Sequence, residues 1–140
     1  VLAEAALLLM LAVLLLRAES FASLEKEGLA AAEKEMFASA LSEAIVKNRN
    51  EQNPLLGAAY YDLPKRRVLA NVIDPELLGE ISGSSFGRYF LAGIYTRDYS
   101  GTKYVFKSSG AGGCIAVERF VLVQGIVRQK AALGVVVCEK

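Results

Sequence analysis

The chain has 140 residues, enough for about one domain, and 54% of them are hydrophobic while 22% are charged. This composition, with a mean hydropathy of +0.34, excludes an intrinsically disordered chain. The 16 basic and 15 acidic residues leave a net charge of +1, too small for a protein that neutralises nucleic-acid phosphates, so no nucleic-acid partner is expected. The chain contains no histidine and so lacks the usual general base and the commonest metal ligand. We expect no enzymatic activity, no catalytic or metal-binding residues and no cofactor.

The first segment, residues 1–16, is apolar on all sides and carries a single charge, at Glu4. Leu, Ala and Met dominate the segment, and all three favour helix. As a helix it would be roughly 24 Å long, somewhat less than the roughly 30 Å hydrocarbon core of a bilayer, which makes it a marginal transmembrane helix. Three interpretations fit this pattern: a secretory signal peptide without the usual basic n-region, a membrane anchor, and a helix buried among copies of itself.

Residues 17–50 continue the helical pattern in amphipathic form, with no Pro and one Gly. We therefore expect one helix of about 50 residues, on the order of 75 Å long, apolar along its first third and amphipathic beyond. Asn48, Asn50, Asn53 and Pro54 supply the stop signal. The residues expected on the apolar face are Phe21, Leu24, Gly28, Phe37, Ala40, Leu41, Ala44 and Ile45.

After Pro54 the pattern changes to β. We predict an aromatic-rich connection over 55–63, a turn over 75–79, a flexible loop over 108–113, and five to seven strands. The predicted strands cover 66–73, 81–86 (a loop or a short edge strand), 88–99, 102–107, 115–123, 126–129 (a weak strand) and 135–138. The fold class is α+β, with an N-terminal helix over 1–53 followed by a small antiparallel β domain, a sheet or sandwich, over 54–140.

The two cysteines, Cys114 and Cys138, lie at the start of one predicted strand and at the end of the last. One interpretation is a disulfide formed outside the cytoplasm, which would stabilise the fold by roughly 3 to 4 kcal/mol. The other is a pair of free, buried cysteines that pack as small apolar residues. A catalytic thiol is not expected, because no base is present to activate it.

Glu4 places a carboxylate inside the apolar segment, where an unpaired charge costs several kcal/mol. It is a candidate for an inter-subunit salt bridge with the α-amine of Val1, which would set the axial register between copies. Alternatively, Glu4 lies in the headgroup or aqueous region at the helix end, where the helix dipole also favours a carboxylate.

Two stretches of the chain, VLAEAALLLMLAVLLL and ERFVLVQGIVRQKAALGVVV, resemble the polymerisation helix and the closing strands of archaeal type IV pilins. The order of segments is also similar to that family: an apolar N-terminal helix, an amphipathic continuation and a small β domain. Bacterial type IV pilins begin with Phe and carry Glu at the fifth position. Val1 and Glu4 differ from that pattern, which favours the archaeal branch.

This resemblance implies a mature chain released by a prepilin peptidase, inserted in the cytoplasmic membrane and then assembled by pilus machinery into an extracellular homopolymer on the cell surface. The apolar helices would form the filament core and the β domains would face solvent. The residues expected in that core are Val1, Leu2, Leu7, Leu8, Leu9, Leu11, Val13, Leu14, Leu15 and Leu16.

The function expected from the sequence is therefore a structural subunit of a type IV pilus-like filament used for adhesion. The alternative is a monomeric, membrane-anchored extracytoplasmic binding domain, or a minor pilin-like component of a secretion or DNA-uptake machine.

Overall fold

The computed structural model describes residues 1–109 and 113–140, and it leaves the side chains of 20–27 undescribed. The predicted face residues Phe21 and Leu24, and part of the predicted loop over 108–113, therefore lie outside the described residues. The fold is mixed α+β, with helix at the N-terminus followed by an antiparallel-rich sheet. The elements are α1 (Leu2–Lys47), a 3-10 helix (Pro54–Leu56), β1 (Ala59–Asp62), β2 (Arg67–Ile73), α2 (Pro75–Gly79), β3 (Ser85–Phe86), β4 (Tyr89–Asp98), β5 (Gly101–Lys107), β6 (Cys114–Val123) and β7 (Gln129–Glu139).

The chain forms two compact units, Val1–Glu33 and Lys34–Lys140. The first unit is helical from Leu2 onward, and the side chains of its residues 1–19 are all exposed. The second unit contains the last turns of α1 together with the whole sheet. The end of α1 therefore belongs to the core of the sheet unit.

Over the residues that the structure describes, the sheet has seven strands, within the predicted range, in the order β1-β2-β6-β7-β4-β3, and β5 also pairs with β4. Strand β7 lies at its centre and pairs antiparallel with β6 and β4 along almost its whole length. The expectation of an antiparallel domain is wrong at one place, because β2 and β6 are parallel where Val72 and Ile73 face Leu122 and Val123. Three strands intervene between β2 and β6, so the chain returns in the same direction.

The core lies between the last turns of α1 and one face of the sheet. Leu41 and Ile45, both predicted on the apolar face, are buried, whereas the predicted Ala40 is exposed. Leu91 and Ile94 both face this core because a register shift interrupts the β4–β7 ladder between Leu91 and Gly93. The helix residues buried in the sheet unit, at helical spacing, are Ala38, Leu41, Ser42, Ile45 and Val46.

Local predictions were wrong at three places. The connection predicted over 55–63 contains the 3-10 helix and β1, and the turn predicted over 75–79 is α2, capped by Asp74. The strands predicted over 126–129 and 135–138 are replaced by one strand, β7, which begins at Gln129. The Ala131–Gly134 stretch has low strand propensity, but its residues are buried between β6 and β4, so packing overrides propensity.

Candidate functional site

The predicted filament-core residues lie on α1 as an exposed apolar surface. Their side chains range from 46% exposed at Val13 to 104% at Val1. Met10, in the same segment, is also exposed. A soluble monomer rarely leaves so many large apolar side chains in one contiguous surface, and such a surface usually marks an interaction site. We call residues 1–16 the apolar helix surface.

This surface surrounds the helix, so it differs from the single stripe of an ordinary amphipathic helix. Leucines occupy three consecutive positions twice, at 7–9 and at 14–16, and three consecutive helical residues point in directions about 100° apart. One neighbouring helix would cover only part of such a surface. Covering all of it requires partners on several sides.

Glu4 lies in the first turn of α1, and the amide of Ala5 donates a hydrogen bond to the carbonyl oxygen of Val1 at 3.2 Å. Within the described part of its own chain, Glu4 makes no ion pair. Its position suits a carboxylate, because unsatisfied amides make the N-terminal end of a helix positive. The predicted inter-subunit bridge between Glu4 and the amine of Val1 stays a prediction.

The apolar surface was also expected to form a transmembrane segment. No helix in the described part of the chain combines the length and the apolar character needed to cross a bilayer.

Cys114 and Cys138 form a disulfide, as the first of the two sequence interpretations predicted. The residues face each other directly across β6 and β7, with Cα atoms 4.1 Å apart. The bond closes the two outer ends of a hairpin whose turn lies at 124–128, so it holds the two strands in register along their length.

A polar cluster lies on the sheet face opposite α1. The Tyr95 hydroxyl donates to Oε1 of Glu118 at 2.7 Å, and the Arg97 guanidinium donates to both carboxylate oxygens of Glu118. The hydrogen bond from Arg97, followed by that from Tyr95, lowers the pKa of Glu118. Burial, followed by the hydrogen bond to ionised Glu118, raises the pKa of Tyr95 to about 12. The cluster bridges β4 and β6 across β7.

An arginine joins α1 to the sheet. Arg119 Nε donates to the Ser42 hydroxyl at 2.6 Å, and its guanidinium also reaches the hydroxyl and carbonyl oxygens of Ser39 at 3.3 and 3.4 Å. This contact was not predicted from the sequence. The sequence did contain a signal for it: Glu118 and Arg119 are adjacent charged residues inside the predicted apolar strand 115–123. Because side chains alternate along a strand, these two residues lie on opposite faces, so one of them must face α1.

An open groove of about 690 Å³ runs across the sheet and is lined by residues of β2, β6, β7 and the end of β4. Its lining is mainly apolar and includes Val72, Phe120 and Leu122, while Asn71 and Lys130 contribute polar groups. Phe120 is 92% exposed, although it lies within a strand. The sequence predicted no groove here.

In the parts of the chain that the structure describes, no three acidic or cysteine side chains approach closely enough to hold a metal ion. No protein-family model, curated protein or solved structure matches the chain. The chain's own surfaces are therefore the source of functional information.

Proposed function

We propose that this chain is a structural subunit of an extracellular type IV pilus-like filament, assembled by bundling of its N-terminal helices. The single observation that carries the proposal is the exposure of every side chain in residues 1–19, including the whole apolar helix surface. Burying apolar area is worth about 25 cal/mol per Å², so covering these side chains would provide tens of kcal/mol per subunit before association costs.

A bundle of copies suits this surface because each helix would be surrounded by identical apolar helices. Contacts that repeat head to tail without closing produce an open helical polymer. In this proposal the same surface holds the subunit in the cytoplasmic membrane before assembly, a prepilin peptidase prepares the chain, and the filament serves adhesion. The sheet unit, which has its own core and disulfide, would face solvent.

The test is a charge placed in the apolar helix surface, with a matched charge elsewhere. Leu9 is 70% exposed, and Leu63 in the sheet unit is 74% exposed. In cells that assemble the chain, we expect Leu9→Asp to abolish filaments, because an unpaired carboxylate buried in a helix bundle costs several kcal/mol per subunit. Leu63→Asp should assemble normally. Electron microscopy and mass spectrometry of material sheared from the cells provide the readout.

Two results would contradict the proposal. The first is that wild-type cells accumulate the chain but form no fibres containing it. The second is that Leu9→Asp assembles normally. The alternative, a membrane-anchored binding domain or a minor pilin-like component, is favoured by the groove beside Phe120. It predicts a chain found only in detergent extracts of membranes, with Leu9→Asp reducing membrane retention.

A further inference from the structure

Strand β6 has an unpaired edge inside the sheet. Strand β2 pairs with β6 only at Val72 and Ile73, so the part of β6 before Leu122 has no strand on that side. The short Cα separation of the Cys114–Cys138 pair, 4.1 Å, identifies it as a non-hydrogen-bonded pair of the β6–β7 ladder. Every second residue after Cys114 therefore turns its backbone N–H and C=O groups away from β7.

These residues are Ala116, Glu118 and Phe120, and all three are exposed. Within the described chain, no backbone partner meets their outward N–H and C=O groups. Phe120 also lines the groove of about 690 Å³, which runs from β2 across β6 and β7 to the end of β4. A row of free donors and acceptors next to an open apolar groove is the arrangement that accepts an added strand.

The sheet has a second open edge on β5. In the described chain β5 pairs with β4 alone, so its outer side carries no strand. Residues 101–104 and Lys107 are exposed. Lys103 and Lys107 are the charged residues of β5. The charge of this edge is therefore entirely positive.

Charge distinguishes the ways in which two copies could join these edges. Pairing β5 with β5 would bring the lysines of both copies together, which is unfavourable. Pairing β6 with β6 about Glu118 would bring together two carboxylates that each already accept from Arg97 and Tyr95 of their own chain, so it would form no new contact between opposite charges. Pairing β5 of one copy with β6 of the next brings Lys107 beside Glu118, whose exposed carboxylate accepts from Arg97 and Tyr95 and still has acceptor capacity for a lysine of opposite charge. Such a contact joins two different surfaces, so it repeats from copy to copy, and it produces an open polymer where the rotation between copies does not close a ring.

We propose that the sheet units of successive copies are joined by strand addition, with the outer edge of β5 in one copy pairing with the open edge of β6 over Ala116–Phe120 in the next. This inference rests on the proposed filament function and identifies a second inter-subunit contact, one that lies outside the apolar helix surface.

A proline at Ala116 tests the inference. Ala116→Pro removes one outward N–H group and leaves the β6–β7 ladder intact, and proline is tolerated at such edge positions. Ala116→Val keeps the N–H group and serves as the matched control. We expect sheared filament mass per cell to fall by about tenfold or more for Ala116→Pro and to be unchanged for Ala116→Val. An unchanged thermal midpoint and an intact disulfide in the purified full-length variant would show that it folds.

Amide hydrogen exchange of the wild-type chain gives a second test that needs no variant. The amides of Ala116, Glu118 and Phe120 should exchange about tenfold or more slowly in filaments than in detergent-dispersed subunits, because strand pairing protects them. The amide of Val117, bonded to β7, should be protected in both states. If wild-type filaments form but exchange at the three outward amides is unchanged, strand addition is overturned and the filament function is not. The same conclusion follows if folded Ala116→Pro assembles normally. A wild type without filaments would overturn both proposals.

Discussion

At the residue scale, the contact between Tyr95 and Gly134 shows why a glycine occupies the central strand. A Cβ atom added to Gly134 would lie 2.1 to 2.4 Å from three ring carbons of Tyr95. The ring cannot move away easily, because it contacts Tyr104 with centroids 5.5 Å apart and its hydroxyl bonds to Glu118. The absence of a side chain at Gly134 is therefore required for this packing.

Gly134→Ala should destabilise the protein by about 1 to 3 kcal/mol, the usual cost of overpacking a well-packed site. Gly79→Ala is the matched control, because a Cβ atom there meets no atom within 4 Å. Urea denaturation of the two variants and the wild type measures the difference. Equal midpoints for all three proteins would show that the Tyr95 ring is free to move.

The pKa of Tyr95 predicts how stability changes in alkali. This pKa is raised from 10.0 to about 12 in the folded protein, so the unfolded state loses the phenolic proton first as pH rises. The folded state then binds more protons than the unfolded state, and stability contributed by this group is lost between about pH 10 and pH 12. The free energy of unfolding of Tyr95→Phe should lack this pH-dependent component.

The measurement is the free energy of unfolding from urea titrations at about pH 9 and pH 11, for wild type and Tyr95→Phe in parallel. The wild type should lose more stability than the variant over this interval. The same pH dependence in both proteins would mean that the Tyr95 phenol titrates alike in the folded and unfolded states.

At the element scale, the last turns of α1 show how helix and sheet recognise each other. The buried stripe packs on the sheet by ordinary helical periodicity, but its middle contains a polar residue, Ser42, which is fully buried. Ser42 bonds to the Ser39 carbonyl and accepts from Arg119. The Arg119 guanidinium is thus hydrogen-bonded to α1 where it lies between the helix and the sheet.

Arg119→Met should cost about 1.5 to 3 kcal/mol, because hydrogen bonds that involve a charged group are worth about that much. Arg128→Met is the matched control, since Arg128 bonds to Gln124 in an exposed turn and such contacts contribute little. Thermal or urea denaturation compares the two. Equal stabilities of the two variants would show that apolar packing alone holds α1 on the sheet.

At the scale of the whole molecule, the buried core residues in the described part of the chain all lie between Ala38 and Cys138. The sheet unit therefore has its own apolar interior, its own disulfide and its own helix segment. The apolar helix surface contributes no buried side chain to it. Folding of the sheet unit and covering of the apolar surface are thus separate events.

A chain that starts at Gly28 should consequently fold, form the disulfide and unfold within about 0.5 kcal/mol of the full-length protein, the usual range for changes outside a core. It should also form no filaments, because it lacks the apolar helix surface. Urea denaturation and sedimentation analysis measure the two properties. A truncated chain that fails to fold would show that residues before Gly28 stabilise the sheet unit.

Local patterns in the sequence were sufficient for several features. A segment as apolar as residues 1–16 needs no tertiary information to predict a surface that must be covered by a partner. The Asn and Pro residues after Lys47 correctly indicated where α1 ends. The strands predicted over 88–99 and 102–107 also correspond to β4 and β5, because the alternation of apolar and polar residues that predicts each of them is local. In each case the determining residues are close together along the chain.

The tertiary structure decided what depends on residues distant in sequence. The Ala131–Gly134 stretch becomes strand because β4 and β6 pair on both sides of it, and Tyr95 covers Gly134. The parallel contact of β2 with β6, which leaves an open strand edge and a groove, depends on a return of the chain that periodicity does not encode. The sequence by itself determined which surface must find partners, because apolar character is a property of each side chain. Only the tertiary structure determined where the sheet can accept a partner strand, because unpaired edges depend on which strands become neighbours.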